Sequence, residues 1–187
     1  GNGQQEAEID PSKLFGTITK LDKDGNQVGE IVQYFKIKIN DKPVTRKNYQ
    51  DILGDGVLCY DIEEKTLKLK EGQFINGALI IKAPENVSID LEADASHVVN
   101  GDLTVDGAKD VKVTKLADGG AAAAIQGKAE ISCSGDVILE NWGGSRGDGR
   151  NLITNGLTVK ADTVTTEGGI SGETMIDCIG DIKLGNE

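Results

Sequence analysis

Aromatic side chains are scarce in this sequence: one Trp, three Tyr and three Phe, 4% of 187 residues. A core built on large rings is therefore excluded, and aliphatic side chains must fill the interior. Histidine occurs once, at His97, with no serine or cysteine motif beside it, which argues against a nucleophilic triad and for a solvated loop residue. The three cysteines, Cys59, Cys133 and Cys178, are odd in number and lack CxxC spacing, so neither a disulfide framework nor a zinc site is indicated. They read as small buried residues. No stretch approaches the ~20 apolar residues a membrane-spanning helix needs. Thirty-one acidic residues against twenty basic ones give a net charge of −11 without any Lys/Arg cluster, so nucleic acid is not an expected partner.

Glycine, by contrast, is abundant, with 25 residues, and favours a turn-rich repetitive architecture. The length suits one domain, or one solenoid with an appended segment. The opening Gly1-Asn-Gly-Gln-Gln-Glu6 is polar and unlike a signal peptide, so an export signal is expected outside this sequence. Residues 1–11 read as a disordered tail, 12–56 as a β-rich capping segment and 57–187 as a parallel β-helix.

A repeat carries the fold assignment. Ile81 to Val87, Val105 to Val111, Ile131 to Val137 and Ile176 to Ile182 each place two apolar residues six positions apart. Asn76-Gly77, Asn100-Gly101 and Gln126-Gly127 precede the first three at a fixed interval, and Asn155-Gly156 opens a weaker copy. Steps of 24 and 26 residues between units suit one supersecondary turn per repeat. Runs such as Leu103-Thr-Val105 and Val111-Lys-Val113 alternate with period two and are too short for helices. The fold class is thus all-β, a single-stranded, right-handed parallel β-helix.

Two columns follow from stacking these units. Ala83, Gly107, Cys133, Ala161 and Cys178 are all small, as a tight inward corner demands. With Ala161 between them, Cys133 and Cys178 fall two strand spacings apart, about 9.6 Å, beyond disulfide reach. Asn86, Asp110, Asp136 and Asp181 precede the second strand of their units, where Asx side chains suit a turn.

Ahead of the repeat, Phe15 to Leu21, a turn at Asp22-Lys-Asp-Gly-Asn26 and the run from Val28 to Ile39 read as a β-hairpin followed by a strand that covers the first coil. The turn is unlike a calcium loop, since Gln33 stands where a bidentate Glu is required. Further on, Ile37-Lys-Ile-Asn-Asp-Lys-Pro-Val-Thr45, Asp51-Ile-Leu-Gly-Asp-Gly-Val57 and Tyr60-Asp-Ile-Glu-Glu-Lys-Thr-Leu-Lys-Leu69 follow in order. Together they resemble a module of bacterial surface proteins, carbohydrate-binding-like or adhesin-like, in which such segments lead into β-helix rungs. The resemblance spans about residues 35–115. It implies a secreted or cell-surface location and carries no catalytic residues over.

Candidate chemistry concentrates in one loop, Asn141-Trp-Gly-Gly-Ser-Arg-Gly-Asp-Gly-Arg150. Trp142 can stack on a sugar face while Arg146, Asp148 and Arg150 bond hydroxyls, so these four are the candidate glycan contacts. Asp110 and Asp136, one rung apart, are the candidate Ca²⁺ ligands, set against an ordinary turn role. The sequence therefore points to a non-enzymatic extracellular module that binds a polysaccharide or surface glycan, or mediates adhesion. The alternatives are a β-helix polysaccharide lyase or glycoside hydrolase using that calcium, and a structural spacer in a larger surface assembly.

Overall fold

A computed structural model describes residues 9–14, 16–116, 120–144 and 150–185. These form an all-β solenoid of about four turns. Each coil contributes a strand to two seven-stranded sheets. The first contains β8 (Leu79–Ala83), β11 (Leu103–Gly107), β13 (Ala129–Ser132), β16 (Leu157–Ala161) and β19 (Thr174–Cys178), all parallel. The second contains β6 (Thr66–Leu69), β9 (Ser88–Ala93), β12 (Val111–Lys115), β14 (Asp136–Asn141), β17 (Thr163–Glu167) and β20 (Ile182–Gly185), also parallel.

A third, narrower face closes each coil. It is made of β7 (Ile75–Asn76), β10 (Val99–Asn100), a single bridge at Ile125, β15 (Asn151–Ile153) and β18 (Gly169–Ile170). The repeated Asn-Gly and Gln-Gly dipeptides lie on these short strands or just after them. Asn100 Nδ2 donates to Asn76 Oδ1 at 3.2 Å, and a Cβ on Gly101 would sit 2.5 Å from the Gly77 carbonyl carbon, so the glycines allow consecutive turns to lie in contact.

The core is a set of aliphatic ladders. Ile81, Val105, Ile131, Val159 and Ile176 align through the first sheet, and Leu67, Ile89, Val111, Val137, Val164 and Ile182 through the second. All but the members of the last coil are buried. Full burial of each such side chain contributes about 1.5–3 kcal/mol. The outer faces meet solvent, which is why these parallel strands alternate apolar and polar residues although parallel strands are usually buried on both sides.

The small-residue column is present. Gly107 pairs with Ala83 and Ala161 with Cys178, while the Cys133 N–H donates to Lys160 O at 3.0 Å. Ala161 thus separates the two cysteines, and all three thiols are free.

The Asx column needs correction. Val111 pairs with Ile89 and not Val87, so Asp110 stands over Ser88 and Asn86 lies outside the column, in a first corner two residues longer. Val87 N–H closes that corner on Pro84 O at 3.1 Å. Thr163 likewise intervenes between Asp136 and Asp181.

Antiparallel strands close one end of the solenoid. β3 (Tyr34–Ile39) and β4 (Lys42–Thr45) form a hairpin, and β3 adds to β8 with Ile39 opposite Ile81. The Asn40 amide extends that pairing, accepting from Ile80 N at 2.8 Å and donating to Ala78 O at 3.3 Å. β5 (Leu58–Asp61) pairs antiparallel with β6, and parallel stacking begins at β6. Ile37, Ile39, Val44, Ile52 and Leu58 are fully buried and seal the first coil. Before them, β1 (Thr17–Leu21) and β2 (Gln27–Val32) form a separate hairpin, whose Asp22 carboxylate accepts from Asp24 N and Asn26 N, both at 2.9 Å. This is an Asx turn.

Candidate functional site

Insertions into the coils gather at one corner, between the second sheet and the third face. The connections there are residues 94–98, 116–124 and 142–150 in successive coils, then Gly168 alone. Stacked insertions on one edge are the usual form of a solenoid's binding surface.

Polar side chains tie these loops together from inside. Lys115 stacks between Ala93 and Asn141 and is fully buried, and its ammonium donates to Gly120 O. Asn141, also fully buried, donates to Ala122 O at 3.1 Å and Asn151 O at 2.7 Å and accepts from Gly143 N at 2.9 Å. His97 is half-buried, its Nδ1 2.7 Å from Ala123 O and its ring against Phe74, so it stitches two coils and is not the solvated loop residue its sequence context suggests.

Burying the Lys115 ammonium disfavours its charged form. Burial holds its pKa below the ordinary 10.5, because desolvation penalises the ammonium more than the nearby Asp94 charge offsets. Between the folded pKa and 10.5 the unfolded chain holds this proton and the folded chain has released it, so stability rises as pH climbs through that interval. Lys115→Met is expected to lose that alkaline rise, as read by urea denaturation between pH 7 and about 10.

Trp142 stands on this corner and is 37% exposed. Its backbone N–H donates to Lys115 O at 2.9 Å, its indole N–H reaches Glu140 Oε2 at 3.2 Å, and the Arg150 guanidinium lies over its ring at 5.8 Å. The structure therefore brings Trp142 and Arg150 together. Arg146 and Asp148 lie outside the described residues.

Asp110 and Asp136 are stacked as their spacing implies, and each has an oxygen engaged by the next rung. Asp110 Oδ1 accepts from Asp136 N at 2.9 Å, and Asp136 Oδ1 accepts from the Thr163 hydroxyl at 2.7 Å. Among the described residues no trio of His, Cys, Asp or Glu is grouped to hold a metal. Nearby, burial pushes the Cys133 thiol up to about 11, so it is protonated and a poor nucleophile at neutral pH.

Concavities among the described residues escaped sequence reasoning as well. A cleft of about 700 Å³ beside the cap is lined by Arg46, Tyr49, Cys59, Asp61, Lys68 and Lys70 among others, with Arg46 over the Tyr49 ring at 5.6 Å. Lys68 is engaged by Glu64 and lies 4.0 Å from Asp61. A groove of about 710 Å³ crosses the outer face of the first sheet between ridges that include Glu130, Thr158, Met175, Ser132, Lys160 and Asp177. The groove residues are ordinary outward positions of alternating strands, and only their stacking makes a groove.

No family model, curated protein or solved structure matches this chain. The solenoid architecture expected from the resemblance to surface-protein modules is present, and no carbohydrate-binding or adhesin-like family is assigned by these comparisons.

Proposed function

We propose that this chain is a non-enzymatic, extracellular glycan-binding module that engages a neutral saccharide at the Trp142 corner. The observation that carries this reading is a partly exposed indole held in place by Glu140 and Arg150 on the edge where the coil insertions stack. Arg150 covers part of one face, and a pyranose would stack on the remaining surface through its C–H groups. Glu140 pairs with Glu167 on the next rung, and the chain carries a net charge of −11, so uronates and sulfated sugars are disfavoured.

Trp142 is the only tryptophan, so its fluorescence reports on the site directly. Screening the intact protein on an array of neutral and acidic glycans is expected to select neutral ones, with the bound sugar shifting the emission. Trp142→Ala is expected to weaken binding at least tenfold, about 1.4 kcal/mol. Equal binding by Trp142→Ala would remove the site from this corner, and a blank array would favour a spacer role. Polymer cleavage by the intact protein would replace the binding reading with an enzymatic one.

A further inference from the structure

The cleft of about 700 Å³ beside the cap falls within the roughly 300–1,000 Å³ of small-molecule sites. Its walls are braced from behind. Phe35 has its ring 6.3 Å from that of Tyr49 and 5.1 Å from that of Tyr60, and the Tyr60 N–H donates to Tyr49 O at 2.7 Å. Tyr49 in turn seats the Arg46 guanidinium over its ring at 5.6 Å, while the Arg46 N–H donates to Gln33 O at 2.8 Å. Ile62 and Cys59, both half-buried, add apolar lining.

The charges of this lining do not cancel. Arg46, Lys68 and Lys70 are cationic and Asp61 and Glu63 anionic, which leaves one positive charge in excess. Lys68 is engaged by Glu64, whereas neither Arg46 nor Lys70 has a carboxylate within ion-pair distance among the described residues. The excess belongs to this part of the chain: residues 12–82 carry twelve Lys and Arg against ten Asp and Glu, and residues 83–187 eight against eighteen. A small anion is therefore drawn to the cap and repelled elsewhere.

We propose that this cleft binds a monocarboxylate joined to an apolar body, the chemistry shared by a small organic acid and a peptide C-terminus. The planar Arg46 fork, held on Tyr49, matches a carboxylate in bidentate fashion, and Lys70 supplies a second cationic donor. Tyr60, Ile62 and Cys59 take the apolar body. One excess charge suits a monoanion, whereas a phosphate monoester, at about −1.5 to −2 at neutral pH, would also meet Asp61 and Glu63. The site is separate from the saccharide corner, since Trp142 follows β14, three strands from β6 in the second sheet.

Titrating the intact chain with phenylpropionate, with its carboxamide and with inorganic phosphate tests the chemistry. A library of short peptides with apolar last residues, as free acids and as C-terminal amides, tests the second source. Free acids are expected to bind with a dissociation constant of about 0.1–10 mM, as suits ligands this small, with the amides and phosphate at least tenfold weaker. A response to phenylpropionate assigns a small acid, and a response to peptides alone a C-terminus. Arg46→Gln and Lys70→Gln are each expected to weaken binding at least tenfold. Lys47→Gln makes the same change of charge beside Arg46, on a side chain engaged by Glu30 and outside the cleft, and leaves binding unchanged. Bound acid is expected to slow alkylation of Cys59 by iodoacetamide, read by peptide mass mapping, and circular dichroism checks that the variants keep their fold. Trp142→Ala leaves acid binding intact, so this site and the saccharide reading fail separately. Free acids that do not bind, amides or phosphate that bind as well, cleft variants that bind normally, a loss on Lys47→Gln or Trp142→Ala, or unchanged Cys59 alkylation would each overturn the proposal.

Discussion

Gly107→Val is expected to destabilise the solenoid by about 3 kcal/mol or more, the sum of a left-handed backbone term and a steric one. Gly107 has φ +92°, and a Cβ there would fall well inside contact distance of the Ala83 carbonyl oxygen on the coil before. That oxygen accepts from Ala108 N at 3.1 Å, so moving it away breaks the hydrogen bond that joins the two coils at this corner. Gly25, in the β1–β2 turn, has φ +81° with nothing near its would-be Cβ. Gly25→Ala therefore bears only the backbone term, about 1 kcal/mol. Thermal unfolding separates the two, at roughly 2–4 °C per kcal/mol for a chain of this size. Equal effects at the two positions would show that close approach between coils is not what requires glycine at 107.

Leu91→Ala is expected to cost about 3 kcal/mol, while Leu184→Ala in the same column costs under about 0.5 kcal/mol. Leu91, Val113, Leu139, Thr166 and Leu184 occupy successive rungs of the second sheet. Leu91 is fully buried between neighbours, and its loss leaves a cavity that rigid stacked coils cannot collapse. Leu184 is already more than half in solvent, so it has little burial to lose. Urea denaturation of the two variants gives the contrast, and a large effect at Leu184 would mean that the last coil is covered by the chain itself. The gradient along one column reflects how a solenoid is held together, since each coil rests only on its nearest neighbours.

Much of this was legible from residue spacing. A side-chain ladder needs the same residue class at the same phase in every coil, so the recurrence of Ile81, Val105, Ile131 and Ile176 fixed the stacking. It also placed Ala161 between Cys133 and Cys178. The first coil misled because its longer corner, through Pro84 to Val87, keeps an apolar residue at the expected distance. Val87 is buried at the bend while Ile89 takes the ladder position, and spacing cannot tell a buried corner from a buried strand. The third face was hidden as well, because strands of two residues and a single bridge at Ile125 are too short to show a period.

At the candidate site the division runs along the same line. Sequence alone determined that the chain repeats, that its interior is aliphatic, and that its only tryptophan sits in a glycine-rich insertion. Tertiary structure decided that three insertions share one edge, that Lys115 and Asn141 turn inward to hold them, and that Arg150 meets the ring of Trp142, eight positions before it in the chain. It also decided that Asp110 and Asp136 bond the neighbouring rung. The physical reason is range: periodicity is imposed locally and repeated on every coil, whereas the partners of a polar side chain lie on adjacent coils some 26 residues away, where only the register between strands determines which atoms meet.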